Sequence, residues 1–316
     1  MPDAYINSLS YVLGDRISEL QATADRGRLA SSAQTLADGG FVRHHICSAQ
    51  TSSYDMARAS VETLQSVPKD LGAIIYATCI PANGNMADPE DYKRTKDVKH
   101  LMDFPASHLA ADFGFARANV YGLNQQACTG MLGSLRLAEM LLKCEPETGE
   151  ILCVTSDKFP SDAVYEQAYC LISDGAAACL VSNRPSGYRI LAGHAITNGA
   201  LAQASDDEIV GSFFTYSVTA IRKCLQKAGI TIDQVSWIVP QNTNRKAWQI
   251  LSSLLNYDFE RVQFPTLADV GHVISADCII NLKHLEDQKR ISQNDKVLLF
   301  MSGLGLNWQC LLLERI

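Results

Sequence analysis

The sequence predicts an α/β fold of two repeated halves, in each of which strands and helices alternate to build a mostly parallel sheet covered on both faces. Three observations carry this. Apolar runs of strand length alternate with stretches of helical periodicity along the chain. The order of these elements in the first half recurs in the second. The 316 residues are also near twice the usual domain of roughly 100–150 residues. With 47% hydrophobic and 19% charged residues, the chain has the balance of a globular protein with a large core. No low-complexity segment or Pro/Ser-rich linker divides it. Repetition therefore places the boundary, with residues 1–185 as one half and 186–316 as the other.

In the first half, Tyr54, Met56, Ala57, Ala59, Val61 and Leu64 predict a helix over 53–66. A Pro-Lys-Asp linker leads from it into an apolar strand, Ala73-Ile74-Ile75-Tyr76-Ala77. The second half answers with Phe214, Val218, Ile221, Leu225 and Ala228, a helix over 213–228 stopped by Gly229, and then the strand Val235-Ser236-Trp237-Ile238-Val239. Next, each half has a strand or loop that leads through a chemically distinctive residue into a helix. In the first it runs from 120–123 through Cys128 to a helix over 130–143; in the second it runs from 262–264 through His272 to a helix over 276–288. Apolar strands at 150–155 and 176–181 complete the first half, and strands at 296–301 and 308–313 the second.

Charge and motifs exclude several functions. Twenty-seven Lys plus Arg against 34 Asp plus Glu leave a net charge of −7, which argues against a broad phosphate-binding face and so against nucleic acid. No apolar run approaches the roughly 18–20 residues of a membrane helix. The start, Met1-Pro2-Asp3-Ala4, lacks the basic region of a secretory signal. A cytoplasmic protein with no membrane partner is expected. Ten cysteines are scattered without a CxxC pair, mostly inside apolar stretches such as Ile151-Leu152-Cys153-Val154, as reduced packing residues are. HExxH, zinc-spaced Cys/His clusters, GxxxxGK and a strand-borne GxGxxG are all missing from the sequence, so no metal and no tightly bound cofactor is expected.

Cys128 stands in Asn124-Gln125-Gln126-Ala127-Cys128-Thr129-Gly130, at the start of a helix with apolar positions Met131, Leu132, Leu135, Leu137, Leu141 and Leu142. Unpaired N–H groups and the positive end of the helix dipole favour a thiolate there, which predicts a depressed pKa and a nucleophile fit to attack a thioester. By residue type alone it is one of ten small packing residues.

Gln126-Ala127-Cys128-Thr129-Gly130 is followed by Ser173-Asp174-Gly175-Ala176-Ala177-Ala178 and then by Gly303-Leu304-Gly305-Leu306-Asn307-Trp308, with Gly40-Phe41-Val42-Arg43 ahead of all three. In this order and spacing the chain resembles the thiolase-like condensing enzymes, in their ketoacyl-ACP synthase III branch. The resemblance runs over nearly the whole chain. It implies a five-layer αβαβα fold of two pseudo-repeats and a cysteine that carries an acyl group. It further implies acyl-CoA or phosphopantetheinyl acyl carrier protein as donor, and a homodimer or a heterodimer with a homologue.

Two segments depart from that family's pattern. Where typical members have Pro-His-x-x-Asn, this chain reads Pro240-Gln241-Asn242-Thr243-Asn244-Arg245, which puts Gln241 in place of the histidine and matches Asn244 to the downstream Asn. Where they have a Gly-Asn turn, it reads Gly271-His272-Val273-Ile274-Ser275-Ala276-Asp277. A Gly-His turn followed by Asp resembles the divergent acyltransferases of specialised metabolism, in which Cys-His-Asp replaces Cys-His-Asn. The resemblance thus implies Cys128, His272 and Asp277 as the catalytic set.

The exchange changes the chemistry available. Decarboxylative condensation needs two hydrogen-bond donors for an enolate oxygen, whereas acylating a hydroxyl or amine needs a base for the acceptor's proton. Gln241 can donate a hydrogen bond but cannot take a proton. His272, oriented by Asp277, can take one, provided that Asp277 folds back toward the ring. Backbone N–H groups of Cys128 and Gly305 are expected to hold the oxyanion, a donor worth about 10²–10³ in rate.

Plainer readings stand beside these. A histidine after glycine can satisfy a turn, Asp277 can complement a helix dipole, and Gln241, Asn242 and Asn244 can be turn and cap residues. Gly303 and Gly305 can simply permit a tight turn. Arg245 and Lys246 lie at the rim expected for the phosphopantetheine entrance, and Arg222, Lys223 and Lys227 form a stripe that would suit an acidic carrier protein or only a solvated helix face. The leading function is a thioester-dependent acyltransferase acting on a small-molecule acceptor. Its rivals are a decarboxylative 3-oxoacyl synthase and a catalytically silent subunit of a heterodimeric synthase.

Overall fold

The computed structural model describes residues 3–81, 89–304 and 306–316. One sheet runs through the molecule. Its strands are β1 (Tyr5–Leu13), β2 (Ala73–Ala77), β3 (Asn119–Leu123), β4 (Glu150–Asp157), β5 (Gly175–Ser182), β6 (Tyr188–Thr197), β7 (Trp237–Pro240), β8 (Lys296–Gly303) and β9 (Asn307–Arg315). Their order is β7-β8-β9-β6-β1-β5-β4-β2-β3. Six helices pack on it: α1 (Ser53–Glu62), α2 (Pro105–Phe113), α3 (Gly130–Cys144), α4 (Asp206–Ala228), α5 (Arg245–Leu255) and α6 (Asp277–Asp287).

The expected repetition is visible in the pairings, but the sheet is mixed rather than mostly parallel, since five of its eight strand pairings are antiparallel. In the first half β1 pairs antiparallel with β5, β5 antiparallel with β4, β4 parallel with β2 and β2 parallel with β3. In the second, β6 pairs antiparallel with β9, β9 antiparallel with β8, β8 parallel with β7, and Ile238 of β7 bridges in parallel to Val262. The two sets of strands pair with one another at Tyr5↔Arg189 and Ile6↔Tyr188.

Strict alternation along the strands separates five layers. Ala73 and Ile75 face a central core with Ile151 and Cys153, while Ile74, Tyr76, Leu152 and Val154 face α1 and α2. In the second half Val297, Leu299, Leu311 and Leu313 face the same central core, and Leu298, Phe300, Cys310 and Leu312 face α4 and α5. α3 and α6 fill that central layer with Met131, Leu132, Leu135, Leu142, Ile279, Ile280 and Leu282, each 0% exposed. Burial of each such side chain contributes roughly 1.5–3 kcal/mol. This is the five-layer αβαβα arrangement that the resemblance implies. Its two central helices carry Cys128 and Asp277 at their starts.

Two helix ends differ from the periodicity. α1 starts with a capping box, in which Asp55 N donates to Ser52 Oγ at 3.0 Å and Ser52 N to Asp55 Oδ2 at 2.8 Å, but it stops at Glu62. Ser66 beyond it adopts φ +55° and Pro68 follows, which a helix cannot include. α4 begins at Asp206 rather than 213, where Ser205 N and Oγ donate to Glu208 Oε2 at 2.9 Å. Among the described residues no helix is long and apolar enough to cross a membrane.

Candidate active site

Cys128 lies in a short turn, Ala127–Thr129, through which the loop after β3 enters α3. Ala127 adopts φ +42°, a region its Cβ disfavours, and its carbonyl accepts a hydrogen bond from Ser275 Oγ at 2.9 Å. Facing it, Ile274 adopts φ +45° in the turn before α6. Two strained backbones are thus tied together by one hydroxyl, and strain of this kind persists only where the surroundings over-determine it.

The histidine turn is equally constrained. Gly271 has φ +74°, and a Cβ on it would lie 2.8 Å from Leu171 O, so only glycine fits. His272 N donates to Leu171 O at 2.8 Å and Ser173 N to His272 O at 2.9 Å, which pairs the turn with Ile172 like a parallel strand. His44 supports that strand: its Nδ1 meets Ile172 O at 2.5 Å and its Nε2 meets Thr23 Oγ1 at 2.8 Å.

These elements bring Cys128, His272 and Asp277 into one line. His272, 3% exposed, sets Nδ1 2.5 Å from Asp277 Oδ2 and Nε2 3.4 Å from Cys128 Sγ. Asp277, fully buried, also accepts from Asn242 N on Oδ2 at 2.7 Å and from Val273 N on Oδ1 at 2.6 Å. With N–H donors on both oxygens the carboxylate is an acceptor throughout, so the ring carries its hydrogen on Nδ1 and turns the Nε2 lone pair to the sulfur. Asp277 folds back to the ring as the expected set requires.

The sulfur differs from the expectation of a depressed pKa. A hydrogen bond with the Cys79 thiol, burial, and the carboxylates of Asp277 and Asp157 all push the Cys128 thiol well above the ordinary cysteine range. These outweigh the positive end of α3. A thiol held protonated can act as a nucleophile only where a base takes its proton, and His272 Nε2 lies 3.4 Å from the sulfur.

A cavity of 580 Å³ opens above Cys128. Its floor is Cys79, Cys128, Ile172, His272 and Ile274, and its apolar walls include Phe159, Phe213, Phe214, Leu306 and Trp308. Gly303 packs closely on the Cys128 turn, since a Cβ there would sit 2.8 Å from Cys128 N. Gly305, the other expected oxyanion donor, lies outside the described residues.

The remaining expected residues divide. Gln241 is buried on the cavity wall and its Oε1 accepts from Ser302 N at 2.5 Å. Asn244 reaches the cavity rim but works as a helix cap, its Oδ1 accepting from Lys246 N at 3.0 Å; it meets neither Cys128 nor His272. Lys246 lines the rim, with Nζ 3.7 Å from Asp38 Oδ2. Arg245 turns away and lays its guanidinium over the rings of Phe259 and Phe264, at 5.1 and 6.0 Å, and is not part of the cavity lining. Arg222, Lys223 and Lys227 are exposed outside the cavity, and their contacts include Leu254 O, Gln226 Oε1 and Gly193 O.

Two residues have larger parts than the sequence suggests. Asn242, 0% exposed, donates through Nδ2 to Gly271 O at 2.7 Å and Thr266 Oγ1 at 2.9 Å, while its backbone N–H holds Asp277. Its place inside the departing Gln241 segment was the available signal. Cys79 lines the cavity with Cys128 and has no motif around it.

The profile described as 3-oxoacyl-[acyl-carrier-protein] synthase III matches residues 124–199, and the one described as its C-terminal part matches residues 225–315. Together they span more than half of the chain. The beta-ketoacyl-[acyl-carrier-protein] synthase III of Aquifex aeolicus is 24% identical over 292 residues, covering 87% of this chain and 88% of that one. Among solved structures, the acyltransferase ChlB3 superimposes with a TM-score of 0.83 at 18% identity, covering 100% of this chain and 98% of its own. The 3-oxoacyl-(acyl carrier protein) synthase III of Pseudomonas aeruginosa gives 0.80 at 20% identity, covering 99% and 98%. These two likenesses establish the fold, and the two profile matches place the chain in the 3-oxoacyl-acyl carrier protein synthase III family of thiolase-like enzymes.

Proposed function

We propose that this chain is a synthase III-type acyltransferase of specialised metabolism, which takes an acyl group from acyl-CoA or acyl carrier protein onto Cys128 and passes it to a small-molecule acceptor. The observation that supports it is the unbroken line from Asp277 Oδ2 through His272 to Cys128 Sγ, at 2.5 and 3.4 Å. In the first half-reaction Nε2 takes the thiol proton and the sulfur attacks the thioester carbonyl carbon. The oxyanion forms against Cys128 N–H, and the donor's thiol leaves with the proton that His272 returns. In the second, the acceptor's hydroxyl or amine attacks the acyl-Cys128 carbonyl as Nε2 takes its proton, and Cys128 leaves as the thiol.

Gln241 on the cavity wall motivates a second reading, decarboxylative condensation with Gln241 and His272 as donors to the enolate. The carboxylate on Nδ1 favours the first reading, because it leaves Nε2 as an acceptor rather than a donor. Intact-mass analysis after exposure to a panel of acyl-CoA and acyl carrier protein donors tests the proposal, with Cys128→Ala as control. An acyl adduct absent from the variant and discharged by an acceptor is expected. Carbon dioxide release from a malonyl thioester in step with acyl consumption would transfer the assignment to condensation, and the absence of any adduct would remove both.

We also propose that the active form is a dimer. β3 is an edge strand with Val120 exposed, and Val98, Leu101, Met102 and Phe104, just before α2, are exposed as well.

A further inference from the structure

Ten cysteines are free, and their surroundings differ sharply. Seven are buried and Cys144 is exposed, which leaves Cys79 and Cys128 as the two that are partly open. Both line the cavity, and both pack against the same apolar group of Tyr165, Ile172 and Ile274. The fold makes them neighbours. β2 and β3 run parallel with Ala77 opposite Leu123, and Thr78 N extends the pairing to Leu123 O at 3.0 Å, so the loops bearing the two thiols leave the same edge of the sheet. Asp157 then fixes the first loop, its Oδ1 accepting from Thr78 Oγ1, Cys79 N and Ile80 N at 2.7, 2.9 and 3.1 Å. The two thiols thus share one cavity wall and one apolar group, and the Cys79 thiol is the foremost influence that pushes the Cys128 pKa up. Cys153 and Cys179 offer an internal contrast: they face one another across β4 and β5, yet both are 0% exposed and neither lines the cavity.

We propose that Cys79 is an oxidative modification site, which resolves a hydroperoxide-oxidised Cys128 into a reversible Cys79–Cys128 disulfide and so closes and protects the nucleophile. The inference rests on the reading of Cys128 as nucleophile. His272 Nε2 takes the Cys128 proton and the sulfur attacks one peroxide oxygen. The O–O bond breaks, Cys128 becomes a sulfenic acid, and the departing hydroxide takes the proton from His272 to leave as water. The Cys79 thiol then attacks that sulfur. The S–S bond forms as the S–O bond breaks, and the hydroxide leaves with the Cys79 proton as a second water. Two thiols supply the two electrons that reduce one peroxide to two waters. The product bars acyl loading until an external thiol reduces it, and it keeps Cys128 from the irreversible sulfinic and sulfonic states.

Full-length protein treated with hydrogen peroxide and quenched tests this by intact mass and non-reducing peptide mapping. The wild type should lose about 2 Da and yield a linked Cys79–Cys128 peptide, and dithiothreitol should restore the starting mass. Cys79→Ala should instead gain about 32 or 48 Da on Cys128, unaltered by dithiothreitol. If the wild type over-oxidises at Cys128 as fast as the variant, or if any disulfide found omits Cys128, the proposal falls. These readouts are masses of the protein itself, so they stand apart from acyl loading: a Cys128 that resolves its sulfenic acid yet takes no acyl group would keep this inference and remove the proposed function.

Discussion

Asp277 does more in this site than its charge suggests, because its position decides what the imidazole is able to do. Three N–H groups converge on it, from His272, Asn242 and Val273, and they use both of its oxygens. An asparagine at 277 keeps the shape but presents an amide N–H to one of these donors, which leaves a buried clash of donors and frees the ring to flip its hydrogen to Nε2. The corresponding change in a Ser-His-Asp site lowers turnover by about 10⁴-fold for that reason. Asp277→Asn is therefore expected to slow discharge of acyl-Cys128 to its acceptor by about 10³-fold or more. Single-turnover mass measurements on pre-acylated protein check it, and a loss under tenfold would show that His272 does not depend on this carboxylate. At this scale the sequence was a good guide where a motif carried the residue. Cys128, His272 and Asp277 each occur in a short local pattern, and the structure aligns them. The direction of the Cys128 pKa was not legible, since it depends on Cys79, Asp157 and Asp277, all distant in sequence or brought close only by folding. Cys79 itself was invisible because its proximity comes from the register of β2 against β3.

Elements are positioned by close approaches that only certain residues permit, and the turn from β8 to β9 shows the functional side of this. Gly303 ends β8 against the backbone of the Cys128 turn, where an added methyl would stand 2.8 Å from Cys128 N and 3.2 Å from Ala127 Cβ. The nucleophile's loop is already strained at Ala127, so the methyl has nowhere to go but into the space in front of the Cys128 amide. Gly303→Ala is expected to slow self-acylation by about 10²-fold or more, the loss seen when one oxyanion donor is removed, with far-ultraviolet circular dichroism unchanged. Adduct formation followed by mass against time decides it; a rate within threefold of the parent would place the oxyanion elsewhere. The strands flanking this turn were read from sequence almost to their ends, because β8 and β9 bury both faces and form continuous apolar runs. β1 and β6 were not read at all. Each carries a register shift, between Ile6 and Ser8 and between Ile190 and Ala192, which breaks the period-two pattern just where the two halves join.

Among the described residues, the molecule leaves one edge of its sheet open. At one end, β7 is followed by the Ile238–Val262 bridge, which continues the sheet beyond the last full strand. At the other end β3 has, among the described residues, β2 on one side only, and of its five residues Asn119, Val120 and Gly122 are exposed. Val120 is 43% exposed, and Val98, Leu101 and Phe104 are each more than half exposed. An uncharged edge strand beside exposed apolar side chains is a template for pairing, and a chain that leaves it bare in solution risks open-ended association. A two-fold partner closes it, because the same strand of a second copy presents the same edge and the contact ends with the pair. Val120→Lys puts a charge on that edge without touching the cavity, whose lining does not include residue 120. Sedimentation equilibrium is expected to show a dimer for the parent chain and a monomer for the variant. A monomeric parent, or a variant that stays dimeric, would mean that this edge is not the contact.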